Sequence, residues 1–359
     1  MSERLGSHGM TSPLGCGQAP HCKEMSMPGR PSLIVAWEMT RRCVLACRHC
    51  RASATDRMCA GELSTAEGGR LIDAVADFAT DALLIMTGGE PLSRPDTLEL
   101  ARRAAGRGLR VALATCGVGL TPDLVGSLKD AGVERISVSL DGSDATSHDE
   151  FRGVAGAFNA AVEALRTAQA GDLEFQVNTT VSKINAPELP RIHALAANLG
   201  AAVHDLFFLV PTGRGAGLRD YALSPAEQDQ ALEWALTASI VSGLRIKVTC
   251  APQYVRIIPA HRNGAGCLAG KGFVFVSHVG TLQPCGFLDL GCGDLRSADF
   301  DFGSLYQNSP VFNRLRDPAL LQGGCGSCQW RQECGGCRAR AFAASGDYLG
   351  PDPSCPLAS

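Results

Sequence analysis

The eighteen residues Leu33-Ile-Val-Ala-Trp-Glu-Met-Thr-Arg-Arg-Cys-Val-Leu-Ala-Cys-Arg-His-Cys50 decide the fold. The apolar run Leu33–Trp37 reads as a buried strand, and directly after it come Cys43, Cys47 and Cys50 in a C-x3-C-x2-C spacing. A loop just after a strand is where a parallel barrel carries its functional groups. Three close thiolates could ligate zinc, but zinc usually takes a fourth protein ligand. A [4Fe–4S] cluster held by three thiolates instead leaves one iron open to another molecule.

Outward from that stretch, short apolar runs alternate with segments of helical period. Leu83–Met86, Arg110–Ala114, Arg135–Leu140, Leu173–Val181 and Asp205–Val210 are predicted strands, and with Leu33–Trp37 they make six. Between them, Ser64–Phe78, Asp96–Ala105, Thr121–Ala131, Ala155–Ala168 and Ala186–Leu199 carry apolar residues three and four apart and are predicted helices. This alternation predicts an α/β fold, a partial (β/α)6 TIM-like barrel. After Pro211 the pattern changes to a helix over Ser224–Val241, then a hairpin of Phe273–Ser277 and Thr281–Pro284 turning at Val279-Gly280. Over Gly323–Cys337, Gly and Cys dominate and too few apolar residues remain for a core, so bound metal must substitute for hydrophobic burial. The barrel is therefore followed by a small cysteine-rich, metal-holding domain, which the resemblance given below makes an iron–sulfur domain.

Composition narrows the partners. The chain has 359 residues, 45% of them hydrophobic, and a formal net charge of −3. That is ample for a sizeable core and leaves no global basic field for nucleic acid. No apolar run is long enough to cross a bilayer, and no export signal opens the chain, so a cytoplasmic location and no membrane insertion are expected. Sixteen cysteines are many for such an enzyme. Since cytosolic thiols stay reduced, metal or cluster ligation explains them better than disulfides. Residues 1–30 read as a mobile extension, and its Cys16, His21 and Cys22 as uncommitted.

The cysteine triad, with Gly88-Gly89-Glu90-Pro91 after the second strand, resembles the radical S-adenosylmethionine (radical SAM) superfamily. The resemblance implies that Cys43, Cys47 and Cys50 hold a [4Fe–4S] cluster whose open iron chelates S-adenosylmethionine and reduces it to a 5′-deoxyadenosyl radical. It assigns Gly88, Gly89 and Glu90 to the methionine amino group, and paired glycines with a carboxylate suit an ammonium. Ser139 and Asp141, ending the fourth strand, would contact ribose and the methionine carboxylate, with Asn178 and Thr180 as further candidates. Two residues depart from the common pattern. His49 stands where an aromatic is frequent and would lie beside adenine, and Cys116 stands where Asn is frequent.

Cys267-x12-Gly280-x4-Cys285, followed by Cys325, Cys328, Cys334, Cys337 and Cys355, resembles the twin-cluster SPASM extension of that superfamily. By this resemblance Cys325, Cys328, Cys334 and Cys355 surround one auxiliary cluster (II), and Cys267, Cys285 and Cys337 belong to another (I). Cys292 or an open iron site would complete the latter. Seven or eight cysteines exceed one tetrahedral zinc site. The expected divisions are the extension over 1–30, the radical SAM barrel over 31–222, a connecting helix and strand over 223–265 and a SPASM-type domain over 266–359.

Within the extended group, the segments Leu209–Leu218, Cys250–Ile257 and Gly336–Leu349 resemble the heme-synthase family of the siroheme-dependent heme pathway. The resemblance is shared in part with didecarboxysiroheme deacetylase and the heme d1 enzyme. It implies oxidative decarboxylation of two propionates of iron-coproporphyrin III to the vinyl groups of heme b, with an unidentified low-potential electron donor. Arg214, Tyr254, Arg256 and Lys271 are candidate contacts for the four-carboxylate tetrapyrrole substrate. The rival readings are a peptide-modifying maturase, weakened by the lack of an obvious N-terminal peptide-recognition domain, and an iron–sulfur carrier or scaffold. A carrier would need no Gly88–Glu90 or Ser139–Asp141 site.

Overall fold

Every strand of the described chain belongs to one sheet, in the order β10-β9-β8-β1-β2-β3-β4-β5-β6-β7. The structure, a computed structural model, describes residues 33–258 and 266–358. The expected extension with Cys16, His21 and Cys22 lies outside the described residues. The parallel strands are β1 (Ile34–Thr40), β2 (Leu83–Gly88), β3 (Arg110–Thr115), β4 (Val133–Ser139), β5 (Glu174–Val181), β6 (Val203–Phe208) and β7 (Arg245–Thr249).

Between them run α1 (Thr65–Phe78), α2 (Thr97–Gly106), α3 (Pro122–Asp130), α4 (Ala145–Arg152), α5 (Ala157–Ala170), α6 (Leu189–Asn198) and α7 (Pro225–Ser242). Local chemistry starts these helices where the pattern predicts. Ser64 and Glu67 form a reciprocal cap on α1, Ser224 and Glu227 another on α7, and Thr121 caps α3. The alternation in β1 is buried on both faces: Val35, Trp37 and Met39 join the outer core under the helices, while Glu38 and Thr40 are also shielded from solvent.

The expected partial barrel is therefore present, with a seventh strand, β7, beyond the six. The hairpin of β8 (Phe273–Val276) and β9 (Thr281–Gln283) turns at Gly280, and β10 (Gly293–Asp294) pairs with β9. Strand β8 lies parallel to β1, Val35 beside Val274, so the sheet extends without a break into the cysteine-rich region. Beyond it, α8 (Phe302–Asn308), α9 (Pro310–Arg316), α10 (Gly323–Ser327) and α11 (Arg338–Ser345) are short. Around α10 the buried apolar cluster is only Cys325, Cys355 and Ala358. Helix α4 has no sequence counterpart because its buried face is His148, Phe151 and Arg152, not an apolar stripe. Among the described residues no helix is long and apolar enough to cross a membrane.

Candidate active site and metal centres

The loop after β1 is pinned from three directions. The C-terminal carbonyls of α4 receive it, Ala46 N–H donating to Arg152 O at 3.2 Å and Arg48 N–H to Phe151 O at 3.0 Å. Gly153 ends α4 with φ +71°, and a Cβ there would lie 2.6 Å from Ala46 O, so only glycine permits this approach. From the β6 side, Arg214 donates its Nε to Cys47 O at 2.9 Å and an Nη to Ala54 O at 2.5 Å, while its backbone N–H donates to Cys50 O. From β2, the N–H groups of Gly89 and Glu90 donate to Thr40 O and Arg42 O, both at 2.7 Å. A Cβ on Gly89 would fall 2.2 Å from Arg42 O. The glycine pair thus lets β2 close against the loop.

Cys43, Cys47 and Cys50 come together in one small cluster with Cys116 beside them. A hydrogen bond with Cys116 holds the Cys43 thiol down to about 7, against the effect of burial. Burial pushes Cys47 up, opposed by Arg152, whose Nη1 donates to Cys47 Sγ at 3.6 Å. Arg152 also pairs with Asp141 at 2.5 Å. Burial would raise Asp141, but Arg152, His49 and His148 outweigh it and hold the carboxyl below its usual range. His49 stacks on Phe151 with centroids 4.4 Å apart.

Glu90 is buried and accepts from Thr115 Oγ1, Cys116 N and Leu92 N. Burial pushes its carboxyl up and these donors oppose the rise. Ser139 pairs with Asn178 across β4 and β5; Asn178 Oδ1 accepts from Gln176, and Thr180 N–H donates to Asp141 Oδ1 at 2.6 Å.

The C-terminal cysteines form two groups. Cys325, Cys328, Cys334 and Cys355 line one cavity, with Arg256 on its wall. Arg256 donates to Asp229 at 2.7 Å, so its guanidinium is partly engaged. Arg338 donates to Cys325 Sγ at 3.5 Å and to Gly350 O at 2.7 Å. Cys267, Cys285 and Cys337 lie within electrostatic reach of one another, and Cys250 joins them, its thiol hydrogen-bonded to Cys337. Cys292 lies elsewhere: it packs in the outer core and donates to Leu290 O at 3.4 Å. Tyr254 packs against the β6–α7 core, and Lys271 is half-buried before β8.

Several backbone N–H groups point at sulfur, each at 3.4 Å: Leu45 to Cys43, Ala54 to Cys50, Phe287 to Cys285, Trp330 to Cys328, Gly336 to Cys334 and Asp352 to Cys325. Such donors favour thiolates and tune iron–sulfur clusters. Buried His49 Nδ1, Arg152 Nε, Arg214 Nη2 and Arg256 Nε have no hydrogen-bond partner, and three of them surround the first loop. Buried polar groups are normally paired, so these residues fit a charged, polar group seated among them. Among the described residues no three His, Cys, Asp or Glu side chains converge as a single-ion site would require. A separate cavity of about 610 Å³ beside Lys129 and Arg166 lies between α3 and α5 and is lined by no cysteine.

Sequence reasoning missed Arg152, Arg338 and Arg340, because a charged residue is ordinarily read as solvent-facing. It also missed Cys250 as a neighbour of Cys337. The available signal was that Cys250 follows a strand, where a barrel carries functional groups.

The chain belongs to the radical SAM superfamily, whose pattern matches residues 37–193, and it is an enzyme of that family using S-adenosylmethionine and a [4Fe–4S] cluster. In particular, it is 45% identical to the AdoMet-dependent heme synthase of Methanosarcina barkeri, over 92% of this chain and 98% of that one. It is 33% identical to the mycofactocin maturase MftC of Mycobacterium ulcerans, over 90% and 87% of the two chains. Identity to the Fe-coproporphyrin III synthase of M. barkeri is 30%, over 94% and 90%. Streptococcus suis SuiB bound to S-adenosylmethionine shares the fold, with a TM-score of 0.70 at 15% identity over 91% of this chain and 77% of SuiB.

Proposed function

We propose that the protein is a radical SAM heme synthase that oxidatively decarboxylates two propionates of iron-coproporphyrin III to the vinyl groups of heme b. The observation that carries this reading is the 45% identity to a heme synthase over nearly the whole of both chains, against 33% for a maturase and 30% for an Fe-coproporphyrin III synthase.

In this reading Cys43, Cys47 and Cys50 hold the radical-generating cluster, with Gly88–Glu90, Ser139, Asp141, Asn178 and Thr180 around S-adenosylmethionine. When bound, cluster and cofactor supply radical hydrogen abstraction. Arg152 offsets the negative charge gathered at Cys47 and Asp141, and Arg214 fixes the loop that presents the cluster. Glu90, backed by Thr115, offers a carboxylate to the methionine ammonium. Each propionate must lose one hydrogen atom, carbon dioxide and one electron. The C-terminal cysteines hold the acceptor for that electron, as two auxiliary [4Fe–4S] clusters, and a separate low-potential donor supplies the electron that starts each turnover. Arg256 serves auxiliary cluster II through its place beside Cys325 and Cys355, leaving Tyr254 and Lys271 as contacts for the tetrapyrrole.

Anaerobic incubation with reductant, S-adenosylmethionine and iron-coproporphyrin III or didecarboxysiroheme tests the reading. The expected product has lost two carbon dioxide units and four hydrogens from iron-coproporphyrin III. Deacetylation of didecarboxysiroheme, with no change in iron-coproporphyrin III, would replace this reading with that of the preceding enzyme.

A further inference from the structure

Cys250 directly follows β7 and has φ +62°, a left-handed backbone that a non-glycine residue adopts only against steric cost. Strain of this kind persists only when its surroundings enforce it. Here the enforcing group is Arg340, whose Nη2 donates to Cys250 O at 2.8 Å and whose Nη1 donates to Ser354 Oγ at 2.8 Å. The same guanidinium reaches Phe208 O and Leu209 O, both at 3.4 Å, and faces the buried Asp352. Asp352 in turn accepts from Cys337 N–H at 2.8 Å. One buried ion pair therefore ties the backbone of Cys250 to that of Cys337, and the two cysteines pack in one cluster.

Cys250, Cys285 and Cys337 share an apolar pocket with Val210, Leu288 and Leu315. Cys267 lies within electrostatic reach of Cys285 and Cys337, and its N–H donates to Cys334 O at 2.9 Å. Cys292, the other thiol available, is turned away as a donor to Leu290 O.

We propose that Cys250 is the fourth thiolate ligand of auxiliary cluster I, closing a four-cysteine site with Cys267, Cys285 and Cys337 that leaves no iron open to the substrate. The inference rests on the C-terminal cysteines being cluster ligands. It joins the barrel to the cysteine-rich region through the metal, since Cys250 comes from the end of the barrel just after β7 and its three partners from beyond residue 265. Arg340 is the positioning residue of that junction.

The test uses the full chain carrying Cys43→Ala, Cys47→Ala and Cys50→Ala, so that only auxiliary clusters contribute, at roughly eight irons per chain. Adding Cys250→Ala should either lower the iron content, with loss of the cluster or its conversion to a three-iron form, or leave a four-iron cluster whose open iron makes its electron paramagnetic resonance signal respond to ¹³C-labelled cyanide. The signal of the other auxiliary cluster reports that the chain is folded. Cys250→Ser, which keeps an oxygen ligand, should retain iron but shift the spectrum, and Cys292→Ala should change neither. An unaltered iron content and spectrum in Cys250→Ala and Cys250→Ser, or a loss in Cys292→Ala, would overturn the proposal. Neither readout involves tetrapyrrole, so this inference can fail while the heme-synthase reading stands, or survive if that reading fails.

Discussion

The two cysteine-rich regions are built with one device and stabilised by different means. Each sets a buried arginine against a buried aspartate beside its thiols: Arg152 with Asp141 next to Cys47, and Arg340 with Asp352 next to Cys337 and Cys250. Cluster thiolates carry negative charge, and an unpaired charge in a dry interior is costly, so the counter-ion must be buried with it. The surroundings differ. The Cys43–Cys50 loop is held by α4, Arg214 and β2 and backed by the large outer core. The Cys325–Cys355 region has short helices and an apolar cluster of three residues. The first site is thus formed by packing, whereas the second, on the proposed reading, would depend on its metal for shape.

The largest effects separate the regions by chemistry. Replacing Cys43, Cys47 and Cys50 by Ala should abolish deoxyadenosine formation while iron falls from roughly twelve to roughly eight per chain. Loss of all the iron would mean that the regions do not assemble independently and would break the comparison. Replacing Cys267, Cys285 and Cys337 should do the converse. Deoxyadenosine should still form, but heme b should be lost or strongly uncoupled from it, in a chain first shown to be compact and to retain its first cluster. A normal ratio of heme b to deoxyadenosine would remove any obligatory electron-accepting role for auxiliary cluster I.

Much of this division is legible in the sequence. The apolar runs gave β1 to β6, and the caps Ser64, Thr121 and Ser224 gave helix starts, because local hydrogen bonding and burial periodicity agree there. The triad was legible because its cysteines are close in the chain. Cys250 was not, because nearness along the chain suggested Cys292, whereas the parallel pairing of β7 with β6 carries Cys250 to Cys337 across 87 residues of sequence. Helix α4 was hidden for a related reason. Its buried face is polar because it serves the site, so the pattern that reports a core was absent.

The counter-ions provide the next test. Arg152→Met leaves Asp141 buried without its partner, and Arg340→Met does the same to Asp352. Breaking a buried pair in this way typically costs about 3–5 kcal/mol. Denaturant unfolding of the iron-loaded chain should register both losses. Cluster bleaching should precede loss of far-ultraviolet dichroism further in Arg340→Met than in Arg152→Met, since less apolar packing supports the C-terminal region. Equal behaviour of the two variants would show that packing does not distinguish the sites.

The smallest effect is a proton linkage confined to the barrel. Thr179 Oγ1 donates to Leu140 O and lies 2.8 Å from His204 Nε2, so His204 carries its proton on Nε2 and donates it to Thr179. Its Nδ1 faces His193 Nδ1 at 3.1 Å, and His193 Nε2 faces Ser242 Oγ at 2.8 Å. Burial, with a smaller contribution from His193, holds His204 down to about 3. The folded chain therefore keeps this imidazole neutral, while the unfolded chain protonates it as pH falls below about 6.5. The unfolded state then binds more protons, so the stability associated with His204 declines as pH drops from about 6.5 towards 3. Between about pH 7 and 5.5 the loss is on the order of 1 kcal/mol. His204→Gln should flatten the pH dependence of the unfolding midpoint by that amount, whatever it does to the midpoint at neutral pH. Of the described histidines only His278 lies beyond residue 265, so the flattening should appear in far-ultraviolet dichroism more than in bleaching of the auxiliary clusters. An unchanged pH slope in the variant would mean that His204 is protonated alike in both states, and the barrel would lose this distinction from the cysteine-rich region.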